Sequence, residues 1–334
     1  MKVGLIGTGM VAATHVAAIR DAGLELATVM ARDPAKTRAF AQRHGARAVE
    51  SVEALASGVD FVILLTPPNA RQDHVAALAR AGVPILAEKP IERDLARATA
   101  LVEACEAANV PFGVTLQHRM RPAAQMLARQ MAGLGTIASV DLRVPWWRDP
   151  SYYDEPGRGT YERDGGGVLL TQAIHAIDLM LHLCGPVGAV QAMVASTPLH
   201  DLEAEDFAAA ALRFESGATG ALMASVTHRP GGTEALTING TGGSAVLAGG
   251  ELTVTGADGE SRSFGEPAAG TGGGADPMAF QHDWHQAVIE DFASALREGR
   301  APAIPARDTL PAIALIDAIQ ASARSGHREE IEDV

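Results

Sequence analysis

The start of the chain carries the pattern that most restricts its fold: a short apolar strand, a glycine-rich turn and an amphipathic helix. The strand is Val3–Ile6, and the helix is predicted over Val11–Arg20. The turn matches G-x-G-x-x-[GA], whose first glycine permits a tight turn, whose second lets backbone approach a pyrophosphate, and whose final small residue permits close helix–strand packing. The helix N-terminus adds N–H groups and a positive dipole end. The sequence predicts a dinucleotide site that includes Gly7, Thr8, Gly9, Met10 and Val11.

Strands and helices then alternate as far as Leu116, which predicts a parallel sheet with helices on both faces. Beyond Pro122 a succession of strand candidates separated by Gly, Ser and Asn turns predicts an antiparallel sheet. We therefore expect an α/β fold in two domains. Residues 1–121 would form an NAD(P)-binding Rossmann domain with a doubly wound parallel sheet. Residues 122–334 would form a second α/β domain with a largely antiparallel open sheet, whose closing helix can pack back on the first domain. The Gly/Ala-rich stretch Gly265–Asp276 is predicted to be a loop.

Composition excludes several classes of protein. The 334 residues include 27 Lys+Arg and 40 Asp+Glu, a net charge of −13, which argues against a nucleic-acid partner. Apolar runs such as Phe61–Leu65 are far shorter than the roughly 20 residues that span a bilayer. Cys105 and Cys184 form neither a disulfide framework nor a metal-type spacing. These features predict a cytoplasmic protein that acts on a small molecule.

The end of the second strand bears on coenzyme choice. An acidic residue at this tip usually binds the ribose 2′-hydroxyl of NAD, but here the tip is Ala31. Asp33 precedes Pro34 and is expected to cap the next helix. Arg32 is therefore a candidate for a 2′-phosphate, which favours NADP over NAD, although a solvated arginine is the alternative.

Two further loops follow the predicted fourth and fifth strands. Lys89, after Glu88 and before Pro90, could exchange a proton at neutral pH if partial burial and a nearby positive nicotinamide lowered its pKa. The carboxyl ends of parallel strands hold the ligands of open α/β sheets. The other residues of these two loops, Thr66, Pro67, Pro68, Asn69 and Glu88, are further coenzyme candidates, and the alternative for Lys89 is a surface lysine at a strand exit. Gln117, after the sixth strand, could also meet the nicotinamide or the substrate, although an exposed polar segment would explain it equally well.

A polar stripe crosses an otherwise apolar helix predicted over Val168–Leu183. Thr171, His175, Asp178 and His182 follow i, i+4, i+7 and i+11 and so share one face. The stripe could be a thin exposed face, a metal site or a functional surface introduced by a flexible Gly165–Gly167. A metal is disfavoured because further ligands are not visible in the sequence. We expect Asp178 to be structural and His182 to be an ordinary helix residue.

The motifs together resemble the glucose–fructose oxidoreductase, inositol dehydrogenase and rhizopine-catabolism (Gfo/Idh/MocA) family. The resemblance rests on the glycine turn, Thr66-Pro67-Pro68-Asn69, Glu88-Lys89-Pro90, and the run from Gly165 to His175 and Asp178. It implies NAD(P)-dependent oxidation or reduction of a sugar, cyclitol or sugar acid, with Lys89 and His175 catalytic. It also implies that residues 122–334 are the substrate-binding and oligomerisation domain of a homo-oligomer, dimer or tetramer. Two departures bear on the substrate: Thr171 stands where many members have aspartate, and Arg71 where the family often has histidine.

Aromatic residues make up only 4% of the chain, yet both members of a tryptophan pair and every tyrosine lie between Trp146 and Tyr161. Flat rings with polar edges suit a ring-shaped polyhydroxylated ligand. The alternative is a loop pinned by its own aromatics. The candidate substrate contacts are Arg148, Tyr153, Arg158, Thr171, Gln172 and His175.

The sequence thus predicts hydride transfer between nicotinamide and a carbinol or carbonyl. It leaves open the reaction direction and which of Lys89 and His175 accepts the proton. Two alternatives remain: a dehydrogenase or reductase of a cyclic, dihydrodiol-like diol, and a coenzyme-binding regulator that has lost the chemistry.

Overall fold

The computed structural model describes residues 1–266, 273–274, 280–332 and 334, so most of the predicted loop Gly265–Asp276 lies outside the described residues. The chain divides into two compact units, Met1–Gln117 with His282–Leu310, and His118–Gln281 with Pro311–Val334. Across the described ranges, each helix is too short or too polar to cross a membrane.

The first unit is built on a six-stranded parallel sheet in the order β3-β2-β1-β4-β5-β6. The last three of these strands are buried along their whole length, as expected for a parallel sheet covered on both faces. The predicted doubly wound sheet is therefore confirmed. Its strands are β1 (Lys2–Ile6), β2 (Glu25–Met30), β3 (Arg47–Ala48), β4 (Phe61–Leu64), β5 (Ile85–Glu88) and β6 (Phe112–Thr115).

Helices connect these strands, and a later segment of the chain completes the unit. The connecting helices are α1 (Ala12–Asp21), α2 (Pro34–His44), α3 (Val52–Ala56), α4 (Gln72–Arg80) and α5 (Leu95–Ala107). Helix α8 (Asp283–Glu298) packs against α1, and its Phe292 ring lies 5.4 Å from the ring of Phe61. A Cβ on Gly113 in β6 would lie 2.9 Å from Phe292, so glycine there lets α8 approach the sheet.

The second unit contains a nine-stranded sheet in the order β14-β13-β12-β11-β7-β10-β9-β8-β15. All of its pairings are antiparallel except β7 with β10, which confirms the prediction of a largely antiparallel sheet. The strands are β7 (Ile137–Pro145), β8 (Val187–Ala195), β9 (Phe207–Phe214), β10 (Thr219–Ser225), β11 (Ala235–Gly240), β12 (Gly243–Ala248), β13 (Glu251–Gly256), β14 (Ser261–Gly265) and β15 (Glu329–Glu330).

Three helices accompany this sheet: α6 (Pro122–Gln130), α7 (Ile174–Cys184) and α9 (Leu310–Ser325). Helix α6 packs on β12, β13 and β14, and α7 packs on β7. The helix predicted over Val168–Leu183 is present and continues to Cys184. It differs from the prediction at Leu169–Ala173, where a π-helical turn leads directly into α7 and its i→i+5 hydrogen bonds widen the helix.

Candidate active site

The glycine turn has the geometry of a dinucleotide loop. Gly7 has φ +108°, and a Cβ on it would lie 3.1 Å from Leu65, so this position requires glycine. A Cβ on Gly9 would meet nothing within 4 Å, which leaves open space for a ligand to approach the backbone. Helix α1 begins at Ala12, its N-cap residue Val11 gives no side-chain cap, and its first turn has no acidic residue. Its first N–H groups therefore suit phosphates, and the turn fits the pyrophosphate of a dinucleotide.

The strand order brings three loops to one edge of the sheet. The strands β1, β4 and β5 are neighbours and parallel, so the segments after their carboxyl ends lie side by side. These segments are the glycine turn, Thr66 to Asn69 and Lys89 with Pro90. The strand order reverses between β1 and β4, and open α/β sheets bind ligands at such a switch point.

Arg71 holds the second and third of these loops together. Its side chain is only 2% exposed, and Nε and Nη2 donate to the Thr66 carbonyl at 2.8 and 2.6 Å. Its Nη1 donates to the carbonyls of Glu88 and Pro90, on either side of Lys89. Burial lowers the pKa of Arg71 to about 10, opposed by the carboxylates of Glu88 and Glu92. Arg71 is therefore a buried cation bound to backbone, rather than a side chain that reaches outward.

Glu88 lies at the centre of a buried polar cluster. Its Oε1 is 2.7 Å from His15 Nε2 on α1 and 3.8 Å from His285 Nε2 on α8, and its Oε2 accepts from the Lys89 N–H at 3.1 Å. Burial alone would raise the pKa of Glu88. The hydrogen bond and charge of His15, together with the charges of His285 and Lys89, outweigh burial and lower the pKa to about 2. Burial lowers the pKa of His285 to about 3. The predicted coenzyme contact Glu88 thus has its carboxylate inside the unit.

The side chains of His15, Glu88 and His285 are near enough to one another to hold a metal ion. The 2.7 Å contact between His15 and Glu88 has the length of a hydrogen bond. Zinc bonds of about 2.0–2.1 Å at tetrahedral angles would hold two such donors roughly 3.3 Å apart. The geometry therefore favours a hydrogen-bonded cluster.

The end of β2 has the arrangement expected from sequence. Asp33 Oδ1 accepts from the N–H groups of Ala35 and Lys36 at 2.9 and 3.1 Å, so this carboxylate caps α2. The same hydrogen bonds lower the pKa of Asp33. Arg32 is exposed beside the half-buried Ala31.

In the second unit, His175 is buried and stacks on a second histidine. Its ring centroid is 4.8 Å from that of His118, with 28° between the planes. Arg121 donates to His118 Nε2 and to Glu234, whose Oε1 lies 3.6 Å from His118 Nδ1. Gln117, His118 and Arg119 are all buried, so an exposed polar segment after the sixth strand is ruled out.

The polar stripe passes from buried to exposed. Arg119 Nε and Nη2 donate to the Asp178 carboxylate at 2.7 and 2.6 Å, which gives Asp178 the structural role expected for it. His182 is exposed on α7. The Thr171 hydroxyl donates to the Gly167 carbonyl at 2.6 Å and also contacts Gln172, which is buried.

Two glycines of the run before this helix, Gly166 and Gly167, are buried and packed against other segments. A Cβ on Gly167 would lie 1.7 Å from the carbonyl oxygen of Glu205, and a Cβ on Gly166 would lie 3.0 Å from the Gln320 side chain. The Glu205 carboxylate accepts from the N–H groups of Gly167 and Leu169 at 3.1 and 3.2 Å. Close approach of two backbones therefore explains the glycine at 167.

The aromatic segment is largely packed on itself. Trp146 and Trp147 are buried, and Tyr153 lies 5.2 Å from the ring of His200. Arg148 is buried and donates to the carbonyls of Trp147 and Gly274 at 2.9 and 2.8 Å. Tyr153 and Arg158 are partly exposed, and the Arg158 guanidinium lies 4.3 Å over the Tyr152 ring. The tryptophans and Arg148 thus stabilise the segment.

Sequence reasoning missed Arg71 as an organising residue and missed Glu234 altogether. Arg71 stood out only as a departure from the family pattern. Glu234 precedes β11 and lies 113 residues from Arg121 along the chain, so no local signal links the two.

Two family models match the chain. The oxidoreductase family with an NAD-binding Rossmann fold matches residues 1–116, and the GFO/IDH/MocA C-terminal domain matches residues 123–246. The D-apiose dehydrogenase of Paraburkholderia graminis is 28% identical over 100% of this chain and 90% of its own length. The myo-inositol dehydrogenase Hyg17 of Streptomyces leeuwenhoekii is 30% identical over 67% of this chain and 69% of its own length.

Among solved structures, the WlbA dehydrogenase from Bordetella pertussis, in complex with NADH and UDP-GlcNAcA, superposes with a TM-score of 0.85. It is 28% identical, and the match covers 100% of this chain and 99% of that one. The chain therefore belongs to the Gfo/Idh/MocA oxidoreductase family, and its residues 1–116 match the NAD-binding Rossmann fold of that family.

Proposed function

We propose that this protein is an NAD(P)-dependent dehydrogenase or reductase that acts on a CH–OH group of a sugar, cyclitol or sugar acid. The observation that carries the proposal is that Lys89, after β5, and the glycine turn, after β1, follow parallel strands separated only by β4, so both lie at the same edge of the sheet. The relatives named for D-apiose and myo-inositol support the substrate class. The neighbour that holds UDP-GlcNAcA adds nucleotide sugars to the compounds to be tested.

The residues divide the work between coenzyme and proton. The backbone of the glycine turn and the N-terminus of α1 would hold the pyrophosphate, and the Thr66–Asn69 loop would contact the nicotinamide half. Bound nicotinamide would accept or supply the hydride. We assign the proton of the reacting hydroxyl to Lys89 and His175, by the motif positions that they occupy. Glu88 supports the Lys89 loop through its carboxylate, so its coenzyme contact would come from its backbone.

Arg32 supports a preference for NADP over NAD. Asp33 is used as a helix cap, and Arg32 next to it is exposed at the strand end. A charge-assisted contact to a 2′-phosphate contributes about 1.5–3 kcal/mol, or roughly 10–100-fold in affinity. Arg32→Ala should weaken NADPH binding by about that factor and leave NADH within about threefold, by fluorescence titration. Equal affinities for both coenzymes in the wild type would contradict this preference.

We assign substrate contacts to Tyr153, Arg158, Thr171, Gln172 and His175. Arg148 instead stabilises the aromatic segment, because its guanidinium donates to two backbone carbonyls. Among these five residues, Tyr153 and Arg158 belong to the aromatic segment, and both side chains are partly exposed.

The direct test follows NAD(P)H absorbance while the protein is offered aldoses, cyclitols, sugar acids, cyclic diols and nucleotide sugars with each coenzyme. We expect turnover with a polyhydroxylated substrate, and Lys89→Met should abolish it while coenzyme affinity stays nearly unchanged. Full activity in Lys89→Met would overturn the mechanism. Tight coenzyme binding without turnover on any substrate would favour the regulator instead, and turnover confined to cyclic diols would change the substrate class.

We also propose that the open face of the nine-stranded sheet binds a second copy of the chain, to give a dimer or tetramer. Met193, Ala209 and Met223 lie side by side on β8, β9 and β10, and Met193 is 63% exposed. This face has a shallow concavity of about 410 Å³. Small and apolar residues on a sheet face suit face-to-face packing of sheets. Met193→Glu should lower the mass measured by light scattering, whereas Leu199→Glu, an exposed position outside the sheet, should not.

A further inference from the structure

We propose that Arg71 is the positioning residue of Lys89: its buried guanidinium fixes the backbone on both sides of the lysine and ties it to the neighbouring loop. The proposal rests on the proposed function of Lys89. It also reinterprets the position at which the chain departs from its family, because Arg71 would act on the catalytic loop rather than on substrate choice.

The contacts of Arg71 converge on one loop. One edge of the guanidinium donates to the Thr66 carbonyl through Nε and Nη2, at 2.8 and 2.6 Å. The other edge, through Nη1, donates to the carbonyls of Glu88 and Pro90. Lys89 lies between these two acceptors, and its own N–H is bound by the Glu88 carboxylate at 3.1 Å. The main-chain groups around Lys89 are thus held by side chains.

The loop needs such a donor because it leaves the sheet at the end of β5. The two carbonyls lie at this exit, one on the last strand residue, Glu88, and one on Pro90 beyond the strand, and a buried carbonyl left without a partner is costly. Arg71 pairs two carbonyls of this loop and one of the Thr66 loop while remaining 2% exposed. The buried carboxylates of Glu88 and Glu92 offset the charge of the guanidinium.

Only arginine has the donor geometry for this arrangement. Its five N–H groups form a rigid planar fork, whereas lysine offers a compact ammonium and histidine at most two N–H groups. A histidine at position 71 could not reach all three carbonyls at once. A lysine would keep the charge but lose the fixed spacing between the Thr66 loop and the Lys89 loop.

The experiment compares Arg71→Lys with Leu78→Ala in the full-length protein. Leu78 is fully buried on α4, the helix that begins next to Arg71, so its truncation lowers stability without touching the loop. The measurements are kcat, KM, coenzyme Kd, melting temperature, and hydrogen–deuterium exchange of the segment from Glu88 to Arg93.

We expect Arg71→Lys to lower kcat by about 10–100-fold, as small displacements of catalytic groups do, with KM and coenzyme Kd within about threefold of the wild type. Exchange in the segment should accelerate. Leu78→Ala should lower the melting temperature and leave kcat and local exchange near wild type. The proposal is overturned if Arg71→Lys keeps its kcat within about threefold, or if Leu78→Ala loses as much kcat.

Failure of the proposed function would be distinct from failure of this inference. A wild type without turnover on any substrate would contradict the function of Lys89 but leave the exchange measurement in place. Unchanged exchange in Arg71→Lys would then show that the guanidinium does not hold the loop.

Discussion

Lys89 and His175 are both surrounded by buried charges, but the charges do different work in the two units. Around Lys89, Arg71 and Glu88 bind main-chain carbonyls and an N–H group. Around His175, the charged groups bind one another, as in the bidentate pair of Arg119 with Asp178. The histidine itself is contacted through a ring stack.

The difference follows from where each residue lies. Lys89 comes directly after a strand, where main-chain groups lack regular partners and side chains must supply them. His175 lies in the first turn of α7, which continues the π-helical turn before it, so the side chains there link the helix to other elements. Loss of a charge should therefore loosen a loop in the first unit and break an ion pair in the second.

The largest expected effect separates the two histidines of the stack. His175→Ala should lower kcat by about 10²–10⁴-fold, the range for loss of a general acid or base. His118→Phe keeps an aromatic ring against His175, and aromatic pairs contribute only about 0.5–1.5 kcal/mol, so kcat should fall less than about tenfold. Steady-state kinetics of both variants would test this. Equal losses would place the proton transfer on the pair rather than on His175.

Breaking the ion pair of the second unit should cost stability rather than turnover chemistry. Asp178→Ala leaves the Arg119 guanidinium buried without its bidentate partner, which should lower the free energy of unfolding by about 3–5 kcal/mol. Asp201→Ala, at an exposed position of the same unit, should stay within about 0.5 kcal/mol. Urea titration measures both. A loss below about 1 kcal/mol in Asp178→Ala would remove the contrast drawn between the units.

Acidification should test the cluster of the first unit. Burial holds the pKa of His285 at about 3, below its ordinary 6.5, so the unfolded chain takes up a proton first. The stability that the neutral His285 contributes is then fully present above pH 6.5. It is lost as the pH falls toward 3, by at most about 1.4 kcal/mol per pH unit. Glu88, with a pKa of about 2, adds a loss of the same sign below pH 4.5.

The corresponding variant is His285→Phe, which should flatten the dependence of unfolding free energy on pH between 6.5 and 4.5. His74, whose pKa burial also lowers, would supply part of the slope that remains. The exposed His327, changed to alanine, is the control that should leave the slope as it is. A His285→Phe slope equal to that of the wild type would contradict the assignment.

The smallest expected effect concerns the aromatic segment. Arg158→Ala should raise KM by about tenfold if the guanidinium binds substrate. Arg163 is the matched control, since both arginines bond Glu155 in the same loop. Unchanged KM in Arg158→Ala, or an equal rise in Arg163→Ala, would assign the segment a purely structural role.

Much of the fold could be predicted from local patterns. The glycine turn and the strand–helix alternation specify the parallel sheet, and the Asp33-Pro34 pair specifies a helix start, because each depends on neighbouring residues. The π-helical turn at Leu169–Ala173 could not be predicted, since its sequence is apolar like the α-helix that follows. The packing of Gly167 could not be predicted either, because its partner, Glu205, lies 38 residues away along the chain.

The candidate site was predictable only in its motifs. Lys89 and His175 lie in recognisable patterns, whereas Arg121 and Glu234 meet across 113 residues of chain. Arg71 shows the limit most clearly: its identity was visible, but its role depends on carbonyl groups, which carry no sequence signal. A side chain that supports a site through the backbone of another loop can be recognised only from a structure.

The close approach at Gly167 has a practical consequence for redesign. Since a methyl group there would overlap the Glu205 carbonyl oxygen, any substitution must move the start of the helix that carries His175. Mutant libraries aimed at new substrates should therefore keep this glycine and vary Thr171, which is only partly buried on the next turn. Homologues with a residue larger than glycine at position 167 should have a longer connection before β9, since the Glu205 carbonyl must then move away.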